Sequence, residues 1–224
     1  MTATTTVLLV RHGETVWHGE NRYAGGSSDV DLTDIGREQA RRLAAWAADQ
    51  DGFDALVCSP VRRAVETATP VAQQLGVVPR VIDDLREVDF GLAEGRTTAE
   101  LRGLDAAMVQ RFQTDPAAHP FPGSEEPAAA ARRAASALRG VAQEFPAGRV
   151  LVIAHNTVLR LALCVLLDLP VSRYRQLFPQ LHNAAITTIA LPTDGHSPAS
   201  LLALNERSHL SALRQTTKYS ETTP

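Results

Sequence analysis

Val7-Leu8-Leu9-Val10-Arg11-His12-Gly13-Glu14-Thr15 opens with four branched apolar residues and breaks off at an arginine, a histidine and a glycine. So short an apolar run reads as a strand buried on both faces, the pattern of a parallel sheet in an α/β domain. Ligands of such sheets bind beyond the carboxyl ends of the strands. Arg11 and His12 are therefore expected at the functional edge. Arg149–Ala154 repeats the device, a buried strand followed by His155. Between the two, Ala55–Cys58 reads as a further strand, followed by Ser59 and Pro60, a helix cap and a first-turn proline. That turn brings Arg62 and Arg63 to the same edge.

Outward from these strands the chain alternates between helix and strand patterns. Residues 16–30 form a polar stretch rich in Gly, Ser and Asn, read as a loop over a ligand. Thr33 caps a helix to about Ala48, and the helix after Ser59 passes Pro70, where a bend is expected. Residues 77–82 are expected as a strand and 83–95 as a loop. Thr97-Thr98-Ala99-Glu100 is a capping box, and the weaker pattern beyond it reads as a lid-like insertion at about 97–124. Ser124 is the expected cap of an Ala-rich helix ending near Phe145. A helix through Leu159, Leu163 and Leu166 follows, then strands at 184–191 and 201–204 and a polar tail at 215–224. The whole, 1–224, reads as one α/β domain, a three-layer α/β/α sandwich with a mainly parallel central sheet.

A formal charge of -3 and a charged fraction of 21% lack the clustered Lys/Arg of a nucleic-acid or membrane-surface binder. Residues 1–6 have neither the basic start nor the apolar core of a secretory signal. The most apolar region, 150–169, is interrupted by His155, Asn156 and Arg160, which a membrane span tolerates poorly. Cys58 and Cys164 lie in apolar segments and read as free thiols of a reducing compartment, so a cytoplasmic location is expected. The histidines show no metal-ligand spacing, and the site is expected to hold no metal and no cofactor.

Arg11-His12-Gly13-Glu14-Thr15 resembles the opening signature of the histidine phosphatase (phosphoglycerate mutase-like) superfamily. Ser59-Pro60-Val61-Arg62-Arg63-Ala64 resembles that family's arginine motif and selects Arg63 over Arg62. Residues 85–95 resemble its acid-bearing loop, with Glu87 at the proton donor, and Val152-Ile153-Ala154-His155 resembles its second histidine motif. The resemblance extends from residue 7 to about 191. It implies a phosphoglycerate mutase-like fold and a phosphatase-branch enzyme in which His12 is transiently phosphorylated. Arg11, Arg63 and His155 would hold the phosphoryl group of a small phosphorylated metabolite; homodimerisation stays open.

The chemistry explains why such residues would be gathered. Phosphoryl transfer has a loose transition state with charge on three equatorial oxygens, so positioning and electrostatic stabilisation supply most of the catalysis. Guanidinium forks match those oxygens and stay charged. His12 must be neutral at its attacking nitrogen, a state that nearby guanidiniums favour, and a carbonyl at the other nitrogen would set the tautomer. His155 is expected to donate as the imidazolium. Glu87 must be protonated to serve a leaving alkoxide, and its proton is expected to arrive with the phosphate dianion. On spacing alone Asp83, Asp84, Asp89 and Glu94 are rival acids.

Thr15, His18, Arg22 and Asn156 are the expected substrate contacts. His18 stands where the family usually has asparagine; an imidazole there could donate to phosphate, with a charge that varies near neutral pH. Asn156 replaces the usual glycine and tolerates a left-handed turn. The loop Gly25-Gly26-Ser27-Ser28 is one residue longer than usual, and Met108 and Phe112 are read as a satellite core of the lid. A mutase, the alternative within the family, would carry an Arg/Lys-rich insertion, whereas 97–124 holds only Arg102 and Arg111. Hydrolysis is therefore preferred. The alternative from another class is a non-catalytic phospho-ligand-binding module.

Overall fold

β1 (Thr4–Arg11) carries the opening apolar run in the computed structural model, which describes residues 3–211. Val7 and Leu9 pack on one face of the strand and Leu8 and Val10 on the other, so the unbroken run fills two cores at once. After β1 come α1 (Val16–Glu20), α2 (Asp34–Ala48), β2 (Ala55–Cys58), α3 (Arg62–Leu75) and β3 (Arg80–Val81). Next are α4 (Thr98–Leu104), α5 (Ala106–Thr114), α6 (Pro127–Glu144), β4 (Arg149–Ala154) and α7 (Asn156–Leu166). The described chain closes with α8 (Tyr174–Leu177), β5 (Ile186–Pro192) and β6 (Ser200–Glu206).

The sheet order is β3-β2-β4-β1-β5-β6. β1 to β4 run parallel, and β5 and β6 are added antiparallel at one side. On one face Leu43, Ala47, Ala64 and Val71 of α2 and α3 cover Leu8, Val10, Leu56 and Ile153. On the other, Leu138 of α6 and Leu159 and Leu163 of α7 cover Val7, Leu9, Val57 and Val152. The result is the expected α/β/α sandwich, mostly parallel. Among the described residues no helix is long and apolar enough to cross a membrane.

Several local expectations are corrected. The stretch 16–30 is not all loop: Thr15 starts α1 there, in a capping box with His18. The strand expected at 77–82 shrinks to β3, because Pro79 has no N–H to donate and Val78 is turned out to solvent. Ser59 does not cap α3. Val61 holds the cap position, while the Ser59 hydroxyl accepts from the Val61 amide and faces His155. α6 starts at Pro127 behind Glu126, not at Ser124, since proline at the first helical position sets the start. Met108 and Phe112 belong to the principal core with Leu159 and Leu163, not to a satellite. Phe112 stacks on Phe121 at 3.9 Å, and Tyr23 meets the edges of both rings, which ties α5 to the loop after α1. The tail expected at 215–224 lies outside the described residues.

Candidate active site

The register places the two histidines side by side. Arg11 pairs with Ala154, so the next residue on each strand, His12 and His155, leaves the sheet at the same level. The His12 amide donates to the Ala154 carbonyl at 2.9 Å, and the two rings lie 5.2 Å apart. β2 flanks β4 on its other side and delivers Ser59, whose hydroxyl is 2.7 Å from His155 Nε2. Two glycines let the loop after β1 settle on α2. A Cβ at Gly13 would stand 2.6 Å from the Gly36 carbonyl oxygen, and one at Gly36 would stand 2.0 Å from the Glu14 carbonyl oxygen.

His12 Nδ1 donates to the Gly13 carbonyl at 2.7 Å, which leaves Nε2 as the bare nitrogen. Arg63 Nε–H points at Nε2 from 3.2 Å. Burial, then the charges of Arg63, His155 and Arg11, hold the His12 pKa well below the ordinary histidine value, so the ring is neutral. Arg63 is 0% exposed, and the rest of its fork is taken by backbone: Ser28 O at 2.9 Å and Ala24 O and Gly25 O at 3.0 Å. It staples the glycine-containing loop down. His155 is also fully buried, and burial with Arg63 and Arg11 pushes its pKa well down. The expected imidazolium is thus corrected to a neutral ring. With Ser59 at Nε2, His155 Nδ1 is left buried without a hydrogen-bond partner.

Glu87 is 5% exposed and is gripped by the start of α7. Its Oε2 accepts from the Thr157 amide at 2.9 Å, and its Oε1 from the amides of Val158 at 2.8 Å and Val88 at 3.0 Å. Arg133 of α6 fixes the same loop through the carbonyls of Asp84 and Arg86 and is itself paired with Glu125. Three of the rival acids have other work. Asp83 pairs with Arg86 at the surface, Asp89 caps the Gly91 amide, and Glu94 accepts from the amides of Gly25 and Phe90 and from the Ser28 hydroxyl. Of these acids only Glu87 lines the cavity over the strand ends.

The expected substrate contacts divide. An Arg11 N–H meets His18 Nε2, while at Nδ1 the Thr15 amide stands 2.9 Å away beside the Thr15 carbonyl at 3.3 Å. That arrangement disfavours the doubly protonated ring, and burial and Arg11 lower its pKa to about 3. His18 therefore does not change charge near neutral pH; it orients the Arg11 guanidinium, which also donates to Leu181 O at 2.7 Å. The Thr15 hydroxyl lies 2.8 Å from His18 Nδ1. Arg22 is engaged by Glu20 and Glu100 and donates to Gly95 O at 2.7 Å, so it clamps α4 at the cavity rim. Asn156 is the first residue of α7, with no left-handed turn, and its Oδ1 accepts from the Leu181 amide at 3.1 Å.

The cavity measures about 790 Å³ and is lined by Arg11, His12, His18, Glu87 and, further along the wall, Arg160 and Arg175. Sequence reasoning missed Ser59 as a partner of His155, and missed Asn183, whose side chain donates to His12 O at 3.0 Å. It also missed Arg160 and Arg175. No local signal marks them: each matters through a partner remote in the chain. Among the described residues no group of three or more His, Cys, Asp or Glu side chains is arranged to hold a metal ion.

The model of a family described as the histidine phosphatase superfamily (branch 1) matches residues 7–204. The bifunctional protein Rv2228c of Mycobacterium tuberculosis is 34% identical over 164 residues, 73% of this chain and 44% of that protein. The chain thus spans less than half the length of this mycobacterial relative. The probable phosphoglycerate mutase GpmB of Yersinia enterocolitica is 32% identical over 186 residues, 82% of this chain and 83% of its own. Among solved structures, the mycobacterial glucosyl-3-phosphoglycerate phosphatase Rv2419c superimposes with a TM-score of 0.80 at 26% identity, covering 91% of this chain and 100% of that one.

Proposed function

The chain belongs to the histidine phosphatase superfamily, and from that premise we propose that it is a phosphoric monoester hydrolase working through a phosphohistidine on His12. The observation that carries this reading is the His12 ring itself. It is neutral, its Nδ1–H is tied to Gly13, and its bare Nε2 faces a guanidinium at the floor of a cavity. The substrate is a small phosphorylated metabolite.

In the proposed cycle His12 Nε2 forms the N–P bond as the ester P–O bond breaks, and Glu87 gives its proton to the leaving alkoxide. Glu87 then takes a proton from a water molecule, which attacks phosphorus; the N–P bond breaks and inorganic phosphate leaves. An arriving phosphoryl group displaces Arg63 Nε–H from Nε2 and offers it an oxygen. His155, with the Ser59 hydroxyl donating to Nε2, presents Nδ1–H as a neutral donor to a second oxygen. Arg11 supplies a further cation. The guanidiniums meet the phosphoryl charge, so no step calls on a metal, and phosphate release is expected to be unchanged by EDTA.

A panel of phosphomonoesters assayed for phosphate release tests the reading. His12→Ala is expected to lose at least about 10³-fold in turnover, and acid-quenched wild type to carry phosphate on His12. Arg63→Ala should fall by about 10³ to 10⁵. Retention of most turnover by a folded Arg63→Ala protein, checked by circular dichroism, would remove Arg63 from the mechanism. The Yersinia relative's name and the extra arginines in the cavity favour a mutase as the second reading. Phosphoryl transfer from a bisphosphate in excess of phosphate release would select it.

A further inference from the structure

Of the arginines that line the cavity, Arg22 has carboxylates of its own, Glu20 and Glu100. Arg160 and Arg175 do not. Among the described residues neither forms an ion pair, although both line the cavity wall. Arg160, on α7, is 5% exposed; its Nε–H goes to the Phe178 carbonyl, and its guanidinium lies 4.9 Å over the Tyr174 ring. Arg175, on α8, lies 4.6 Å over Phe112 and donates Nε–H to the Tyr174 hydroxyl at 3.2 Å. The two are close enough that the charge of Arg175 acts directly against that of Arg160.

Burying a cation without an anion is costly, and a like charge beside it adds to the cost. Aromatic faces and a carbonyl offset part of it and hold both forks in place. They leave the N–H groups at the guanidinium ends, the ones that grip a carboxylate or phosphate, outside those contacts. The cavity is also of the size that takes a whole small-molecule ligand, not a phosphoryl group alone. The cations absent from 97–124 are thus partly restored from α7 and α8.

We propose that Arg160 and Arg175 form a second anion site, so that the preferred substrate is a phosphomonoester bearing another anionic group, carboxylate or phosphate, on its alcohol portion. This rests on the phosphatase reading above, with Arg11, His12 and Arg63 taking the ester phosphate.

The test is a series of straight-chain alkyl monophosphates of increasing length, each ending in a methyl, a carboxylate or a second phosphate. Wild type is expected to favour one chain length with an anionic end over its methyl counterpart by roughly 10- to 100-fold in kcat/KM, mostly through KM. The carboxylate and phosphate arms identify which anion is preferred. Arg175→Gln, on a half-buried side chain, and Arg160→Gln should each bring that ratio toward one; either variant suffices should the other not fold. Equal kcat/KM for methyl and anionic ends at every length overturns the second site while leaving the phosphatase intact. If no ester is hydrolysed, the phosphatase reading falls. Binding of the same series to His12→Ala, measured by calorimetry, then still decides the anion site: equal affinity for both kinds of end overturns it.

Discussion

A histidine buried beside guanidiniums resists protonation, and three here share that condition: His12, His18 and His155. Their pKa values lie below the ordinary 6.5, so at mildly acid pH the unfolded chain binds protons that the folded chain refuses. Their contribution to stability is complete above about 6.5 and is lost as pH falls below it, for His18 down to about 3. The melting temperature is expected to be flat at neutral pH and to drop steadily below about pH 6.5. His18→Asn should make that drop shallower by about one proton, as measured by denaturant titration across the acid range. An unchanged slope would mean that His18 is not held neutral. The replaced ring also orients Arg11, so kcat/KM should change together with the slope.

Glycines at the site act through the elements they join. Gly36 lies in the first turn of α2, and an added Cβ would meet the Glu14 backbone at 2.0 Å. Neither backbone can swing aside as a flexible side chain would. Gly36→Ala is expected to cost roughly 1 to 3 kcal/mol and to lower turnover by shifting the loop that holds His12. Gly140, within α6, meets nothing within 4 Å. Gly140→Ala should stabilise by about 0.5 to 1 kcal/mol with activity unchanged, because only helix propensity is altered. Thermal melts with parallel assays check both signs. At this scale the long elements were legible: β1, β2, β4, α2 and the Thr97–Glu100 capping box read directly from pattern. α1, with five residues, has too few turns for a period to register, and β3 was trimmed by Pro79.

Across the whole molecule, α4 and α5 are built into the main core, with Leu101, Met108, Val109 and Phe112 buried in it. They should therefore unfold with the sheet and not open separately. Phe112→Ala is expected to cost about 3 to 5 kcal/mol and to lower a single melting transition. A separate early transition confined to this segment, seen by hydrogen exchange, would instead make it an independent lid. The sequence by itself determined the α/β alternation and the delivery of His12, His155 and Arg63 to one sheet edge, because strand ends and helix starts are local events. Only tertiary structure decided which of these acids lines the cavity, since the Thr157 and Val158 amides that grip Glu87 come from 70 and 71 residues further along. It also decided that His18 is neutral, that the Arg63 fork staples a loop, and that Arg160 and Arg175 line the cavity without forming an ion pair among the described residues. Burial and charge are set by neighbours in space, and no pattern along the chain records them.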